Sequence, residues 1–355
     1  MIWLTWRQLR GSAAMLATVL VVLAAVLALT GPDLASGYSA GITSCVQDDT
    51  CGRFFDRFFG AHDSPFMAAS LIVLLLPALI GLFWGAPMIT RELEADTHLL
   101  VWNQSVTRGR WLAVKLGLTG LAAVAAAGLC GLMVTWWSDP LDKSAPEDLA
   151  LMAPLVFGAR GIAPMGYAAF AFVLGVSVGM LVRRTLPAMA LTLAAFVAIQ
   201  LAMPMLVRPH LMPPVTGTFE LVQANVDGIS IDREEGGGEG ESMTIRLRPA
   251  VPGHAGAWVL STGILDPSGR TIAENDAPGA IKEVSTTSGP CAPTAGASGF
   301  GTCIAEVNRL GYRQQATYQP LERFWPFQWI ETGIYALLTA GLTWFCFWWI
   351  RRRLS

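Results

Sequence analysis

Long apolar runs separated by short polar segments dominate the pattern of this chain. Six runs reach about 20 residues, the length at which a helix crosses a hydrocarbon core about 30 Å thick. They cover 12–30, 66–87, 113–137, 161–182, 187–207 and 328–350. The first run is longer than a usual signal-peptide core, which favours a retained helix. The pattern therefore predicts a polytopic α-helical membrane protein with six transmembrane helices.

Composition supports the same fold class. Hydrophobic residues make up 53% of the chain and charged residues only 14%, with a mean hydropathy of +0.48. This is too apolar for a soluble globular protein of this length. No basic patch is present that would favour a nucleic-acid partner.

Lys and Arg are distributed unequally between the two sides of the predicted bundle. If the N-terminus is inside, eleven of them lie on the inner side: Arg7, Arg10, Arg91, Arg108, Arg110, Lys115, Arg183, Arg184, Arg351, Arg352 and Arg353. Only Arg53, Arg57 and Lys143 lie in the two short outer loops, 31–65 and 138–160. By the positive-inside rule, both termini are predicted to be cytoplasmic, in a multi-pass protein of the cell membrane.

One long polar segment interrupts the apolar pattern, and it divides the chain into 1–207, 208–327 and 328–355. The middle segment is rich in Gly, Pro, Thr and charge, and it is long enough to form a small domain. Alternating strand patterns cover 218–222, 242–248 and 257–264, a turn leads to 270–272, and 303–310 has a helical pattern. The Gly- and Glu-rich run 233–241 is predicted to be a hairpin tip rather than a calcium site. We therefore expect a small β-rich extracytoplasmic domain between helices five and six.

Cysteine positions agree with this topology. Four of the six cysteines lie on the predicted outer side, where disulfides persist. Four cysteines allow three pairings, and proximity in sequence favours Cys45 with Cys51 and Cys291 with Cys303.

Prolines and small residues inside the spans indicate where helices bend or approach closely. Pro77 and Pro204 lie in the second and fifth runs, which suits hinge or pathway-lining helices but also simple kinks. Gly175 and Gly179 form a GxxxG pattern, for which a dimer interface and internal packing both remain open.

A charged island, 86–115, separates the second and third runs. Its first half alternates leucines and acidic residues with the spacing of a short amphipathic helix. Its second half places Arg108, Arg110 and Lys115 beside Trp111, the composition of a helix that re-enters a bilayer from its positive side.

This island resembles that of the permease subunit of ABC-type exporters in the ABC-2 superfamily, in the form found in actinobacterial members. The matching residues are Arg91-Glu92-Leu93-Glu94, Thr97, Thr107-Arg108-x-Arg110-Trp111 and Lys115, with 323–331 before the last span. In that family, the loop after the second span docks on a separate ATPase chain. The resemblance implies that the coupling loop, 88–112, docks through Arg91, Glu92, Glu94, Thr97, Arg108 and Arg110.

The resemblance further implies the function and the partners. Two permease chains, identical or paralogous, would form the pathway, and each would bind one ATPase subunit that carries ATP and Mg. The cargo would be a hydrophobic, amphipathic or peptide-like compound, antibiotics included. No Gly-x-x-x-x-Gly-Lys-Ser/Thr motif occurs, so we expect no nucleotide, metal or other cofactor in this chain.

Two other functional classes stay open at this stage. A non-transporting sensor or assembly protein would share the topology and the outer domain. A membrane enzyme has less support, because the four histidines are scattered, no metal-site spacing occurs and no catalytic residue stands out.

Overall fold

The computed structural model describes residues 2–48, 51–95, 107–223, 225–233, 241–274, 279–281, 284, 289–292 and 299–352. These residues divide into two compact units. The helical unit contains the chain up to Ala145, Pro154–Leu211 and the chain from Trp325 onward. The second unit contains Pro146–Ala153 and Met212–Phe324.

Ten α-helices are described. They are α1 (Ile2–Asp48), α2 (Cys51–Gly60), α3 (Asp63–Ile80), α4 (Ala86–Glu94), α5 (Arg108–Asp142), α6 (Pro154–Phe157), α7 (Ala163–Val182), α8 (Thr185–Ala202), α9 (Gly299–Arg309) and α10 (Phe324–Arg352). By length and composition, six helical segments can cross a membrane: Ala13–Val46, Asp63–Glu94, Arg108–Asp142, Ala163–Val182, Thr185–His210 and Leu321–Arg352. The six predicted transmembrane helices, with a β-rich region between the fifth and the sixth, are therefore confirmed.

Helix α1 is longer than its apolar run, because it continues through Gly31 and Pro32 to Asp48. The first part of the predicted loop 31–65 is thus helical. Contacts with α5 hold this part of α1 in place: the Trp137 indole N–H donates to Thr30 Oγ1 at 2.9 Å. A Cβ atom on Gly31 would lie 2.9 Å from the Trp136 ring, so glycine permits this close approach.

The α1–α2 connection is closed by a disulfide between Cys45 and Cys51, one of the two predicted pairs. The aromatic face of α2 folds back on α1, where the Phe58 and Tyr38 ring centres are 5.6 Å apart. A Cβ atom on Gly41 would lie 1.9 Å from the Phe54 ring, which therefore needs glycine beneath it.

Helix α7 is the most buried of the candidate spans and packs against α3, α4, α5 and α8. Its two GxxxG glycines face the segment after α3. A Cβ atom on Gly175 would lie 2.5 Å from the Gly81 carbonyl oxygen, and one on Gly179 would lie 2.9 Å from the Ala86 carbonyl oxygen. The GxxxG face is therefore used for packing within the chain.

Each proline singled out from the sequence lies in or near a π-helix. Pro77 is buried in α3, four residues before the π-helix Gly81–Gly85, and Pro204 lies within the π-helix Met203–Val207. Because proline lacks an N–H group, it cannot donate the normal i→i−4 hydrogen bond, and π-helical turns commonly accompany such irregularities. A role of these bends in a transport pathway stays a prediction, as it does for Gly175 and Gly179.

The second unit is built on two antiparallel sheets. One has the order β1 (Val215–Phe219), β7 (Arg313–Gln319), β4 (Trp258–Leu265), β5 (Thr271–Glu274), and the other has β2 (Val226–Arg233), β3 (Glu241–Leu247), β6 (Gly279–Ile281). Met243, Ile264, Ile281 and Val307 lie in one apolar core. The Cys291–Cys303 disulfide ties α9 to the preceding loop, as predicted. Strands β2 and β3 pair with Arg233 opposite Glu241, and the predicted hairpin tip between them lies outside the described residues.

Candidate functional site

Helix α4 ends the second candidate span and carries the first half of the charged island. Ile89 and Thr90 are buried, whereas Arg91 is exposed at the end of the helix. Because residues one turn apart share a face of a helix, this pattern lets α4 pack on the bundle while Arg91 faces solvent. We call the helix ends near Glu94, Arg108, Arg184 and Arg351 the basic end, and the opposite ends the distal end.

Glu92 joins α4 to α5. Its carboxylate forms an ion pair with Lys115, and the two side chains are only 16% and 5% exposed. The Lys115 ammonium also lies 4.7 Å from the centre of the Trp111 ring. An ammonium buried to this degree needs a counter-charge, so this pair fixes the position of α4 against α5.

Glu94 joins α4 to α8. It accepts two hydrogen bonds from Thr185, from the backbone N–H at 2.8 Å and from the hydroxyl at 2.7 Å. The Thr90 hydroxyl lies 2.9 Å from the same Thr185 hydroxyl. No side chain of α8 caps its own N-terminus, where Arg184 is the N-cap residue. Glu94 therefore caps α8 from another helix, and its negative charge suits the positive end of the helix dipole.

Helix α5 begins beside this site. Thr107 is its N-cap residue, and its hydroxyl accepts a hydrogen bond from the Arg110 backbone N–H at 3.4 Å. Arg110 is exposed and Arg108 is partly exposed. The Arg351 guanidinium reaches to 3.9 Å from the Cβ position of Gly109. Positive charge from α5 and from the last helix thus gathers at the basic end.

The structure separates the predicted docking residues into two groups. Arg91 and Arg110 present exposed side chains at the basic end, whereas Glu92 and Glu94 hold α4 to α5 and α8. Thr97 lies outside the described residues. The sequence indicated the first group through its charged residues. It gave no sign that Glu92 would pair with Lys115 or that Glu94 would accept hydrogen bonds from Thr185.

The distal end contains an ion pair that the sequence analysis missed. Arg208 and Glu331 are both buried and form a bidentate contact, with N–O distances of 2.8 and 3.0 Å. The Tyr167 hydroxyl donates to the same carboxylate at 2.5 Å, and the guanidinium lies 4.1 Å from the centre of the Phe157 ring. The division at residue 208 had assigned Arg208 to the outer domain, whereas in the structure it belongs to the helical unit.

Two further polar contacts hold the distal end. Arg160 pairs with Asp142 at 3.1 Å and donates to the Ser70 hydroxyl at 3.1 Å. The buried Gln328 side chain accepts hydrogen bonds from the backbone N–H groups of Ile162 and Ala163 at the start of α7, at 3.1 and 2.8 Å. Helix α7 is thus capped by Gln328 at the distal end, as α8 is capped by Glu94 at the basic end.

The comparisons with known proteins place this chain in a family. A family model described as "ABC-2 membrane transporter related" matches residues 17–208, just over half of the chain. The matched region includes α2 to α8, and with them Glu92, Glu94, Lys115 and Thr185. No curated protein and no solved structure gives a significant match. Since the family model covers more than half of its length, the chain belongs to the ABC-2 membrane transporter related family.

Proposed function

We propose that this chain is the permease subunit of an ATP-driven exporter, and that the exposed tip of α4 binds a separate ATPase subunit. The observation that carries the proposal is the construction of the tip. Arg91 faces solvent, while Glu92 and Glu94, which follow it in the helix, are bonded to α5 and α8. A partner that binds Arg91 therefore acts on a helix that contacts two membrane-spanning helices.

The two holding contacts differ in how readily they can be broken. The Glu92–Lys115 pair is largely buried, so separating it would leave a charge without its partner. The Glu94–Thr185 contact is solvent-exposed, so water can replace its hydrogen bonds at little cost. We infer that α4 and α5 move together and that α8 slides or tilts against them during the ATPase cycle.

The remaining features of the proposal follow from charge and from the family. The basic end would face the cytoplasm of a cell-membrane protein, which leaves the second unit outside. Two permease chains, identical or closely related, would enclose the pathway and bind two ATPase copies. The cargo would be hydrophobic, amphipathic or peptide-like, and the chain would have no catalytic activity or cofactor of its own, since ATP and Mg would bind to the ATPase.

Purification of the full chain from its native membrane in mild detergent tests the proposal, with the associated proteins identified by mass spectrometry. A stoichiometric ATPase with a phosphate loop is expected. Arg91→Ala should weaken its association about tenfold, as removal of a central arginine contact commonly does. Arg270→Ala, an exposed arginine in the second unit, is the matched control and should change nothing.

The alternative hypothesis is a membrane sensor, which would have the same six helices and the same second unit. It requires no ATPase. A chain that is purified alone, from membranes in which it folds and remains intact, would contradict the permease and support the sensor.

A further inference from the structure

A cavity of about 510 Å³ lies between α1, α2, α3 and Trp137 of α5, toward the Asp63 end of α3. We call it the α1–α3 cavity. Its volume is within the range of small-molecule sites, about 300–1,000 Å³. Most of its lining is apolar, with Leu23, Val26 and Leu27 on α1 and Ile72 on α3.

The polar groups of the α1–α3 cavity are gathered at one end. Asp33 lies on α1 seven residues beyond Val26 and ten beyond Leu23, or about 10 and 15 Å along the helix axis. His62 lies across the cavity from α1, just before α3. The cavity is therefore amphipathic, with an apolar stretch about two helical turns long and an ionisable end.

Asp33 is the only Asp, Glu, Lys, Arg or His in the candidate span Ala13–Val46. Within the described part of the chain, no side chain forms an ion pair or hydrogen bond with its carboxylate. The Asp33 side chain is exposed at the polar end of the cavity, beside its apolar walls, and is therefore accessible to a ligand. The site thus has a negative charge that a ligand can neutralise.

The other polar groups in the cavity do not favour an anionic ligand. The His62 Nδ1 atom lies 2.9 Å from the Phe58 carbonyl oxygen, which can only accept, so Nδ1 carries a proton and donates it there. The Thr30 hydroxyl donates to the Val26 carbonyl oxygen and accepts from the Trp137 indole. The Asp33 carboxylate therefore offers acceptors that suit a positively charged head group and repel a phosphate or a carboxylate.

We propose that the α1–α3 cavity binds an organic cation with a large apolar body, and that Asp33 selects its charge. The apolar body lies along Leu23, Val26 and Ile72, and the cationic group lies between Asp33 and His62. This inference names a cargo class for the exporter, and in that respect it rests on the proposed function. Binding itself needs neither an ATPase nor a second chain.

Tetraphenylphosphonium and tetraphenylborate test the site, because they share one apolar shape and carry opposite charges. Equilibrium dialysis measures their binding to the full chain in nanodiscs of zwitterionic lipid, with empty nanodiscs as the blank. The wild-type chain should bind the cation more tightly than the anion. Asp33→Asn should weaken binding of the cation about fivefold and leave the anion unaffected or slightly favoured.

Two matched variants locate the site. Asp56→Asn removes an exposed carboxylate on α2 that does not line the cavity, and it should change neither affinity. Ala68→Phe places a ring in the cavity from an exposed position on α3, and it should reduce binding of the cation several-fold.

Equal affinity of the wild-type and Asp33→Asn chains for tetraphenylphosphonium would overturn the proposal, as would undiminished binding by Ala68→Phe. Retention of a phospholipid in the cavity that the cation does not displace would overturn it in favour of a lipid site. Because no ATPase is present, these results are independent of the purification experiment. Failure of the cation site would leave the permease proposal intact, and the reverse also holds.

Discussion

The two ends of the helical unit are held by the same kinds of contact, but these contacts are more buried at the distal end than at the basic end. Each end has an ion pair between helices and a helix N-terminus capped by a side chain from another helix. At the distal end, Arg208, Glu331 and Gln328 are all buried. At the basic end, the Glu92–Lys115 pair is largely buried, but the Glu94 cap is exposed.

This difference indicates where the bundle can change shape. A buried, bidentate arginine pair cannot open without leaving a charge unsolvated, so it fixes the distal ends of α7, α8 and α10 together. An exposed cap exchanges with water, so α8 can separate from α4 at the basic end. The irregular π-helix Gly81–Gly85 lies between the two ends along the second span. We therefore expect motion at the basic end about a fixed distal end.

The largest effect is expected from Glu331→Gln at the distal end. This change leaves the Arg208 guanidinium buried without its counter-charge, which lowers the free energy of unfolding by about 3–5 kcal/mol. Thermal unfolding of the purified chain, followed by circular dichroism, is the measurement. The double change Arg208→Met with Glu331→Leu should recover much of the loss, because no charge then stays buried. If the Glu331→Gln chain is as stable as the wild type, the buried ion pair does not fix the distal end, and the proposed difference between the two ends is contradicted.

A smaller effect is expected where α7 packs on the segment after α3. Gly175→Ala forces the Gly81 and Ala86 backbone away from the new Cβ atom and should lower the free energy of unfolding by about 1–3 kcal/mol. Gly333→Ala is the matched control in α10, because no atom lies within 4 Å of its Cβ position. That change should stabilise the helix slightly through helix propensity. If both variants behave alike, α7 is not fixed to this segment.

At the basic end, Glu94→Gln should cause only a small loss of stability, because the cap is exposed and the amide oxygen of glutamine still accepts a hydrogen bond. Hydrogen exchange detects this loss locally: the amides at the start of α8, Thr185 first, should exchange about fivefold faster. Arg91→Ala should leave their exchange unchanged, since the structure describes no hydrogen bond or ion pair between Arg91 and α8. Uniformly faster exchange over the whole of α8 would mean that Glu94 supports more than the end of the helix.

The smallest effect is expected from the charge of Asp266, in a turn of the second unit. Hydrogen bonds to Asp266 from the Ser268 side chain and the Arg270 backbone lower the pKa of its carboxyl to about 2. The turn is therefore stabilised above the ordinary aspartate pKa of about 4, and this contribution is lost as the pH falls toward 2. Hydrogen exchange of the Ser268 and Arg270 amides between pH 5 and 2 measures it. Asp266→Asn should abolish this pH dependence, and a pH dependence that survives the substitution would assign it to another group.

Hydropathy was sufficient to predict the six spans, and a change in composition together with strand-like alternation predicted the β-rich region between the last two. The spacing of the cysteines was sufficient to predict both disulfides. The helical pattern of 303–310 was sufficient to predict α9. Local pattern did not reveal β7, one of the two strands paired on both sides in the larger sheet. Its sequence is mostly polar, and Gln314 is buried because it hydrogen-bonds to Asn225 and to the Ala250 carbonyl oxygen. A buried polar side chain paired with a distant partner gives no hydrophobic alternation to detect.

The same limitation explains what was missed in the helical unit. Arg208 follows an apolar run, so its charge predicts the membrane boundary. The partner that keeps it buried, Glu331, is 123 residues away in sequence. Gly175 and Gly179 presented the opposite case: their small size predicted a close approach, but only the fold identifies the Gly81–Ala86 backbone as what approaches them.

Contact between the α4 tip and an ATPase is the central claim, and photocrosslinking tests it most directly. A benzoylphenylalanine replaces Ala95, the exposed residue that ends α4, in the full chain in native membranes, and a second variant carries it at Asp56, an exposed position on α2. Irradiation should crosslink position 95 to an ATPase with a phosphate loop and position 56 to no ATPase. The account is contradicted if position 95 captures no ATPase in a chain that is folded and inserted, or if position 56 captures it equally well.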